Sequence, residues 1–478
     1  MEYGRLNERL MAELESIVGS ENASTRVEDL LCGSYEATPL IDYRPDVVIA
    51  PKTAEQVSKV LLLANRHRIP VTPRGAGTSL AGNSLPVAGG ICLDMSSMKS
   101  VLEFDGANQT IAVEPGIVCD TLNDYLADRG FFFPPDPASS PAATIGGMVA
   151  NNSGGNRALK YGVTRDHVLW LEAVLPTGEV VKTGSRTLKS VSGYDLTRLL
   201  IGSEGTLAVI TKVGLKVTAL PEARAASLYI FDDVEEAVRT AVEIKSSGVL
   251  PSMLEFMDEA SSKASFEYAQ MDCPEGCAVL VECDGWAEAV EREAEAVHGI
   301  ALKRKPKFFA RASSSEERER LISARKAALP ALSRAAPTVF MEDLTVPVTK
   351  IPEAYARIAR IPHELGAPIG VSTFGHIGEG NLHPNFLLDG RDPEQREALL
   401  KALDVLYRDV VIPLGGSVTG EHGIGISRGD YMELEHGVKL VGLMREIKRT
   451  FDPNMILNPY KAKGGPWPPP GLMMGAAP

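Results

Sequence analysis

The sequence predicts an α+β protein with two domains and a returning C-terminal segment. The chain has 478 residues, which is enough for two or three domains. Up to about residue 218, short β-rich runs alternate with glycine-rich loops, and beyond it strands alternate with amphipathic helices. We therefore predict a domain at 1–218 with a helical start and two α+β subdomains. We predict a second domain at 219–430 with helices on a ferredoxin-like sheet, and a C-terminal helix and tail at 431–478.

Hydrophobic periodicity predicts the helices. Thr53 is the expected N-cap of the second helix, with Gln56 completing a capping box. In the second domain, the runs ASLYIF, CAVLVEC, VFMEDLTVP and APIGVSTFGH read as strands, and TGEVV in the first domain reads as a hairpin. The Pro- and Gly-rich stretch at 465–478 is typical of an extended tail. The predicted helices are 6–18, 53–68, 232–247, 286–297, 316–329, 352–365, 393–410 and 434–450.

Composition narrows the function classes. Hydrophobic residues make up 44% and charged residues 23%, as in ordinary globular proteins. The net charge of −13 argues against binding to nucleic acid or to an anionic membrane surface. The N-terminus lacks a signal pattern, and no apolar run is long enough for a membrane span. The six cysteines are scattered, so we expect reduced thiols in a cytoplasmic protein.

The stretch FGHIGEGNLHPN at 374–385 places His376 and His383 seven residues apart. That spacing fits one face of a helix, but two glycines and a proline are poor helix formers. A strand, a tight turn and a second strand fit better, and both rings can then converge on one point. A second motif, TGEHGIGISR at 419–428, places Glu421 beside His422, and its glycines permit a bend that brings both side chains into one cavity.

Two His and one carboxylate are a recognised ligand set for zinc, and Fe(II) or Mn(II) fits nearly as well. Ordinary hydrogen-bonded histidines are the competing interpretation. Only eight His occur in the chain, and three of them lie in these two glycine-rich motifs.

Three stretches in the first domain are poor in bulky side chains. They are PRGAGTSLAGN at 73–83, FPPDPASSPAATIGGMVANNSGG at 133–155 and GSEGTLAVIT at 202–211. The first has neither the P-loop nor the Rossmann pattern. Taken alone, it could equally be a tight connection between strands without a ligand. Together the three loops indicate close backbone approach along an extended ligand, for which a dinucleotide outside a Rossmann fold is the natural candidate.

These motifs, with KYGVTRDHV and GYDLTRLLIGSEGTLAVIT, resemble the FAD-binding domain of vanillyl-alcohol-oxidase-type flavoproteins. The resemblance covers almost the whole chain and is closest to the FAD-linked 2-hydroxyacid dehydrogenases and oxidases, such as glycolate oxidase catalytic subunits and D-lactate dehydrogenases. Some relatives attach FAD covalently through a loop histidine, which the 73–83 loop lacks, so the resemblance implies noncovalent FAD. The cofactor-binding residues that it implies are Arg74, Gly75, Ala76, Gly77, Thr78, Ser79, Pro135, Ser140, Ala143, Thr144, Gly146, Gly147, Asn152, Gly155, Glu204, Gly205 and Ile210.

The same resemblance implies that His376, His383 and Glu421 ligate a divalent metal, with Zn²⁺ favoured. Asn385 then contacts the substrate, and His422 is the base. A 2-hydroxy acid can chelate such an ion, which lowers the pKa of its hydroxyl so that a neutral His can accept the proton. The α-hydrogen leaves to flavin N5 as hydride, although an order in which the α-proton leaves first is equally open to the sequence.

Arg325, in SARKAAL, matches the family's carboxylate-binding arginine, and without the resemblance it reads as an exposed helix arginine. The hydroxyglutarate enzymes carry a lysine and a threonine where this chain has Met341 and Leu329. We therefore expect D-lactate or glycolate as the substrate, with D-2-hydroxyglutarate as the alternative.

The sequence contains no haem or iron–sulfur motif, so electrons are expected to leave through a partner. The resemblance implies an iron–sulfur subunit, an electron-transfer flavoprotein, a cytochrome or quinone. A homodimer is compatible with the sequence, as is attachment to the inner membrane face through a partner. Two other classes compete with the dehydrogenase: a metallohydrolase, which leaves the glycine loops unexplained, and a non-catalytic subunit, against which the intact His and Glu motifs argue.

Overall fold

A computed structural model describes residues 2–461. The predicted tail at 465–478 lies outside the described residues. The helices are α1 (Glu8–Val18), α2 (Val27–Cys32), α3 (Ala54–His67), α4 (Cys119–Ala127), α5 (Ile145–Asn151), α6 (Ala158–Tyr161), α7 (Thr164–His167), α8 (Leu196–Leu200), α9 (Val234–Ser246), α10 (Glu259–Tyr268), α11 (Ala287–Lys303), α12 (Ser315–Lys326), α13 (Ala328–Leu332), α14 (Ile351–Glu364), α15 (Pro393–Val405) and α16 (Met432–Phe451).

The strands are β1 (Ala23–Ser24), β2 (Val47–Ile49), β3 (Val71–Arg74), β4 (Ile91–Asp94), β5 (Val101–Asp105), β6 (Thr110–Val113), β7 (Phe131–Phe132), β8 (Val168–Val174), β9 (Val180–Gly184), β10 (Val209–Lys216), β11 (Thr218–Ala219), β12 (Ala223–Phe231), β13 (Met253–Met257), β14 (Cys277–Gly285), β15 (Phe308–Arg311), β16 (Thr338–Met341), β17 (Leu344–Thr345), β18 (Gly370–His376) and β19 (Asn381–Leu388).

The chain forms two compact units. The first unit contains the chain up to Ser153, Val163–Ala219 and the chain from Glu421 onward. The second unit contains Gly154–Gly162 and Leu220–Gly420. The domains predicted from the sequence end at 218 and 430, whereas the chain passes between these units at Ala219–Leu220, at Gly420–Glu421 and on both sides of Gly154–Gly162.

The first unit is built on two larger sheets, and β7 pairs with β11 in a small third one. One larger sheet has the order β1-β2-β4-β3, in which β4 pairs in parallel with both β2 and β3. Helix α3 packs its apolar face on this sheet, where Val57, Val60 and Leu61 are buried. A second sheet is antiparallel, with the order β5-β6-β10-β8-β9. The predicted TGEVV hairpin is confirmed, because Val174 pairs with Val180 across the turn between β8 and β9.

Two local details of the first unit differ from the predictions. Thr53 caps α3 and accepts the amide N–H of Gln56, but the Gln56 side chain accepts from Lys52 N rather than from Thr53 N. The expectation that 133–155 forms one long loop is wrong, since α5 lies within it. Its glycines are poor helix formers, yet Ile145, Met148 and Val149 are buried, and Thr144 accepts the amide N–H of Gly147 as the N-cap.

The second unit is built on an eight-stranded antiparallel sheet. Its order is β15-β12-β14-β13-β18-β19-β16, and β17 also pairs with β19. Helices α9 and α11 pack against β12 and β14, while α10 and α14 pack against β18. The α11 helix runs to Lys303, six residues beyond the predicted end at 297. Residues 2–461 contain no helix with the length and apolar character needed to span a bilayer.

Candidate active site

The two histidines of FGHIGEGNLHPN face each other across a β-turn in the second unit. Strand β18 ends at His376, β19 begins at Asn381, and Phe374 pairs with His383, so the predicted strand–turn–strand is confirmed. The period of two then puts both imidazoles on one face of the sheet, with ring centroids 5.3 Å apart. The turn needs glycine at Gly380, whose φ is +82° and whose added Cβ would lie 2.1 Å from the Val346 carbonyl oxygen.

A lysine from a neighbouring helix holds this turn in place. The Nζ of Lys245, on α9, donates to the carbonyl oxygen of Gly378 at 2.7 Å. Gly378 also packs closely against Leu159, because a Cβ there would meet that side chain at 2.6 Å. The spacing between the two imidazoles is therefore fixed by contacts on both sides of the turn.

Glu255 joins His376 to Arg325. Phe256 pairs with Gly375, which sets Glu255 of β13 beside His376 of β18. Glu255 Oε1 lies 2.7 Å from His376 Nδ1, and Oε2 lies 2.8 Å from Arg325 Nη2. The contact with the carboxylate requires the imidazole proton on Nδ1, which leaves the ring lone pair on Nε2. Arg325 on α12 is 4% exposed, so the interpretation as an exposed helix arginine is wrong.

Asn385 lies on the same sheet face as the two histidines, two residues beyond His383 on β19. Its Nδ2 donates to the carbonyl oxygens of Ser372, at 3.2 Å, and of His383, at 2.7 Å. Its buried Oδ1 has no hydrogen-bond partner among the described residues. A buried amide oxygen without a partner is costly, so it is a good acceptor for a bound hydroxyl.

Asp343 fixes the end of the second unit. Its Oδ2 accepts the Thr419 hydroxyl at 2.6 Å and the Gly420 amide at 2.7 Å. Its Oδ1 accepts Asn381 Nδ2 at 2.7 Å and lies 3.6 Å from His383 Nδ1. Glu421 follows Gly420 directly in the chain, so a buried carboxylate holds the residue that precedes a predicted metal ligand.

The loop that carries Glu421 and His422 is anchored within the first unit. The carbonyl oxygen of His422 accepts from Asn83 Nδ2, at 3.2 Å, and from Asn151 Nδ2, at 3.5 Å. The carboxylate of Glu204 accepts the amides of Ile424, at 3.0 Å, and Gly425, at 2.8 Å. The backbone that presents the predicted base is thus held by residues from the glycine-rich motifs of the same unit.

Except for Gly155, the residues predicted to bind the cofactor belong to the first unit. Gly77 has a φ of +70°, and Gly75 approaches Thr144 so closely that a Cβ would lie 2.3 Å from its hydroxyl. The Arg74 Nη2 donates to the Tyr35 carbonyl oxygen at 2.8 Å, and the group of Arg74 that is predicted to hold the cofactor is its backbone amide. The hydroxyl of Ser79 is buried and has no hydrogen-bond partner in the described part of the chain.

The remaining predicted residues lie in structured parts of these two units. Asn152 is the left-handed C-cap of α5, and its Oδ1 accepts the Arg165 amide at 2.9 Å. Gly146 donates its amide to the Pro115 carbonyl oxygen at 2.7 Å. Residues Ser140, Ala143, Thr144 and Ile210 are buried. Their roles, together with those of Pro135, Gly147, Gly205 and Ala76, stay predictions.

Sequence reasoning missed Glu255 and Asp343. A signal existed for Glu255, because it is the one charged residue in MLEFM, a strand of five buried residues. A carboxylate in such a strand needs a partner to compensate its burial. Its partners, however, lie far away along the chain, at 325 and 376, and only the fold brings them together.

Comparisons with known proteins identify the family. A sequence model described as "FAD linked oxidases, C-terminal domain" matches residues 220–462, and one described as "FAD binding domain" matches 45–184. The chain belongs to the FAD-linked oxidases. The FAD-linked oxidase is 38% identical to the glycolate oxidase subunit GlcD of Bacillus subtilis, over 94% of this chain and 95% of that protein. It is 36% identical to the mitochondrial D-lactate dehydrogenase [cytochrome] of Arabidopsis thaliana, over 96% of this chain and 81% of that protein.

Solved structures confirm the predicted vanillyl-alcohol-oxidase-type α+β fold. The FAD-linked oxidase matches p-cresol methylhydroxylase with a TM-score of 0.78 at 17% identity, covering 96% of both chains. It matches the 4-ethylphenol oxidase of Gulosibacter chungangensis with a TM-score of 0.78 at 18% identity, covering 96% of this chain and 97% of that one. The predictions of an FAD-linked oxidoreductase and of FAD as its cofactor are confirmed by the domains and relatives.

Proposed function

We propose that this chain oxidises a small D-2-hydroxy acid, D-lactate or glycolate, to the 2-oxo acid with the help of FAD and a divalent metal. The names of the relatives, a glycolate oxidase subunit and a D-lactate dehydrogenase, support the substrate class. The observation that carries the proposal is the group on one face of the second unit: two imidazoles packed edge to face, an amide oxygen with no hydrogen-bond partner among the described residues, and a buried arginine.

The two imidazoles fit a metal ion. The tautomer of His376 leaves Nε2 as its ligand atom, because Nδ1 donates to Glu255. With a metal–nitrogen bond of about 2.1 Å and tetrahedral angles, two ligating rings have centroids about 5 Å apart, and the rings of His376 and His383 are 5.3 Å apart. We propose Glu421 as the third ligand.

The first unit fits FAD. Amides of residues 74–79 are proposed to hold the pyrophosphate, where Gly77 adopts a positive φ and the Ser79 hydroxyl is buried without a partner in residues 2–461. The backbone of this loop approaches a side chain too closely for a larger residue, because a Cβ at Gly75 would lie 2.3 Å from the Thr144 hydroxyl. The 73–83 loop contains no histidine, which supports noncovalent attachment.

Each side chain of the site has one proposed task. A divalent metal held by His376, His383 and Glu421 would supply Lewis acidity that lowers the pKa of the substrate hydroxyl, and FAD held by the first unit would supply the hydride acceptor. Arg325 pairs with the substrate carboxylate, since its buried Nε has no hydrogen-bond partner among the residues described. Asn385 accepts from the substrate through Oδ1, and His422 accepts the hydroxyl proton.

Met341 supports a monocarboxylic substrate. It pairs with Asn385 across β16 and β19, and paired residues point to the same sheet face. Met341 is 8% exposed and apolar, so this position offers no charge to a second carboxylate. Electrons are proposed to leave through a partner protein or quinone.

Anaerobic reduction of the flavin tests this proposal. The purified holoenzyme is mixed with D- and L-lactate, glycolate and D-2-hydroxyglutarate, the bleaching of the flavin is followed, and the metal content of the same sample is measured. We expect D-lactate or glycolate to reduce the flavin quickly, and a chelator to abolish that reduction. A metal-free protein reduced at the full rate would contradict the metal assignment, and failure of every hydroxy acid would contradict the substrate class.

A further inference from the structure

A single buried carboxylate contacts both the proposed metal ligand and the proposed substrate-binding cation. Glu255 is 1% exposed, and its two oxygens are used separately, one for His376 at 2.7 Å and the other for Arg325 at 2.8 Å. Burying a carboxylate in an apolar strand is unfavourable unless the charge is paired. Here one carboxylate contacts side chains from two elements, His376 of β18 and Arg325 of α12.

The contact with His376 determines what that ring can do. Because Glu255 holds the proton on Nδ1, the lone pair stays on Nε2 and the plane of the ring is fixed. A carboxylate partner also makes the imidazole a stronger donor to a metal than a carbonyl partner would.

The contact with Arg325 determines which edge of the guanidinium is left for a ligand. Glu255 pairs with Nη2, and the guanidinium carbon lies 4.7 Å from the ring centroid of Phe374. The side chain is thus held by an ion pair with Glu255 and by a cation–π contact with Phe374. Its Nε remains without a hydrogen-bond partner within residues 2–461.

We propose that Glu255 is a positioning residue that sets the imidazole of His376 and the guanidinium of Arg325 relative to one another, and so fixes the separation between metal and substrate carboxylate. The inference rests on the proposed function, since it assigns Glu255 a task only if His376 holds a metal and Arg325 a carboxylate. It goes further by linking metal affinity and substrate affinity through one side chain.

The same helix supplies a matched control. Arg318 lies two turns before Arg325 on α12 and pairs with Glu282, a buried carboxylate on β14, the strand next to β13. Glu282 also accepts from Ser252 Oγ at 3.2 Å, and none of its hydrogen-bond partners among the described residues is a histidine. If a buried Arg–Glu pair had only a structural role, substitution of Glu282 and substitution of Glu255 would therefore have equal effects on metal and substrate affinity.

The experiment compares Glu255→Gln, Glu255→Asp and Glu282→Gln in the FAD-loaded full chain. Glutamine can accept from only one partner, so either His376 or Arg325 then faces an N–H group. Each protein is stripped of metal with a chelator and titrated with Zn²⁺ under chelator competition. Steady-state kinetics with D-lactate and glycolate are then measured at saturating Zn²⁺, so that a change in KM does not reflect loss of metal.

For Glu255→Gln we expect the flavin content to be unchanged, the Kd for Zn²⁺ to rise 10–100-fold, and KM to rise at least about tenfold with a smaller change in kcat. Glu255→Asp keeps the charge and should recover part of both affinities, whereas Glu282→Gln should leave both within about twofold of the wild type. Equal values in Glu255→Gln and the wild type would overturn the inference. If Glu255→Gln does not fold, an unchanged Kd and KM in Glu255→Asp would overturn it. A wild type that neither binds Zn²⁺ nor is reduced by a hydroxy acid would instead refute the proposed function.

Discussion

The guanidinium of Arg325 lies over the ring of Phe374, with 4.7 Å between the guanidinium carbon and the ring centroid. Phe374 pairs with His383 in the sheet, so the arginine stacks on the immediate neighbour of a predicted metal ligand. A planar guanidinium can stack on the ring and pair with a carboxylate in its own plane at the same time, and an ammonium cannot. Arginine at this position is therefore expected to differ in function from lysine.

Arg325→Lys should raise KM for the hydroxy acid and lower kcat/KM by about 10–100-fold, because a charge-assisted hydrogen bond contributes about 1.5–3 kcal/mol. Steady-state kinetics with a dye as electron acceptor measure this effect. Arg318→Lys is the control on the same helix and should retain KM, since Arg318 pairs with Glu282. An unchanged KM in Arg325→Lys would refute the assignment of the carboxylate to Arg325.

Removal of either imidazole should remove the metal but not the flavin. His376→Asn and His383→Asn are expected to lose at least about tenfold in metal affinity, while the absorbance of bound FAD stays normal. Elemental analysis and the visible spectrum report the two quantities. His298→Asn is the control, because this imidazole packs on Phe309 in the second unit, with ring centroids 4.8 Å apart. Full metal content in both active-site variants would exclude these histidines as ligands.

The sequence predicted those parts of the site whose contacting residues lie close together along the chain, and it missed those whose contacting residues lie far apart. The turn between His376 and His383 was predictable because local residues, two glycines and a proline, exclude a helix. The proposed role of Arg325 came only from family resemblance, since its burial depends on a sheet assembled from distant strands. Glu255 was missed because its partners lie 70 and 121 residues away.

Distant contacts also account for the wrong prediction of a loop at 133–155. Gly146 and Gly147 favour a loop locally, and this preference amounts to about 1 kcal/mol for each glycine. Burial of Ile145, Met148 and Val149 outweighs it, because each large apolar side chain contributes about 1.5–3 kcal/mol. Tertiary packing thus determines the structure of α5, and the local sequence pattern does not predict such packing.

Glu204 should control the order of the loop that carries His422. Its carboxylate accepts two consecutive amides, those of Ile424 and Gly425. Glu204→Ala leaves both buried donors without this acceptor, at a cost of about 1–3 kcal/mol for each. We expect faster hydrogen exchange at these two amides and slower flavin reduction. Glu172→Ala is the control, a buried glutamate of the same unit that pairs with Lys212, and it should not change exchange in this loop. Unchanged exchange in Glu204→Ala would contradict the anchoring role.

Met341 should set the preference for monocarboxylic acids. Met341→Lys places a cation beside Asn385, and a second substrate carboxylate can compensate its burial. We expect activity with D-lactate to fall and the ratio of kcat/KM for D-2-hydroxyglutarate to that for D-lactate to rise at least about tenfold, more so with Leu329→Thr added. Met341→Leu conserves volume without charge and should keep the original preference. If Met341→Lys kept the wild-type ratio of kcat/KM for the two acids, this position would not determine the substrate preference.

Lys461 should make stability depend on pH. Burial lowers the pKa of Lys461 to about 7, although Glu36 and Glu204 oppose the shift, and its Nζ donates to the Leu85 carbonyl oxygen at 2.7 Å. Between pH 7 and the ordinary lysine pKa of about 10.4, the unfolded chain holds a proton that the folded chain lacks. The free energy of unfolding should therefore rise with pH across this window, by at most about 1.4 kcal/mol for each pH unit, and level off below pH 7. Lys461→Met removes this contribution. The unfolding temperature of the wild type, relative to that of the variant, should therefore rise between pH 7.5 and 9.5. The exposed Lys439→Met is the control and should follow the wild type, whereas a constant difference between wild type and Lys461→Met at every pH would mean that Lys461 does not titrate in this window.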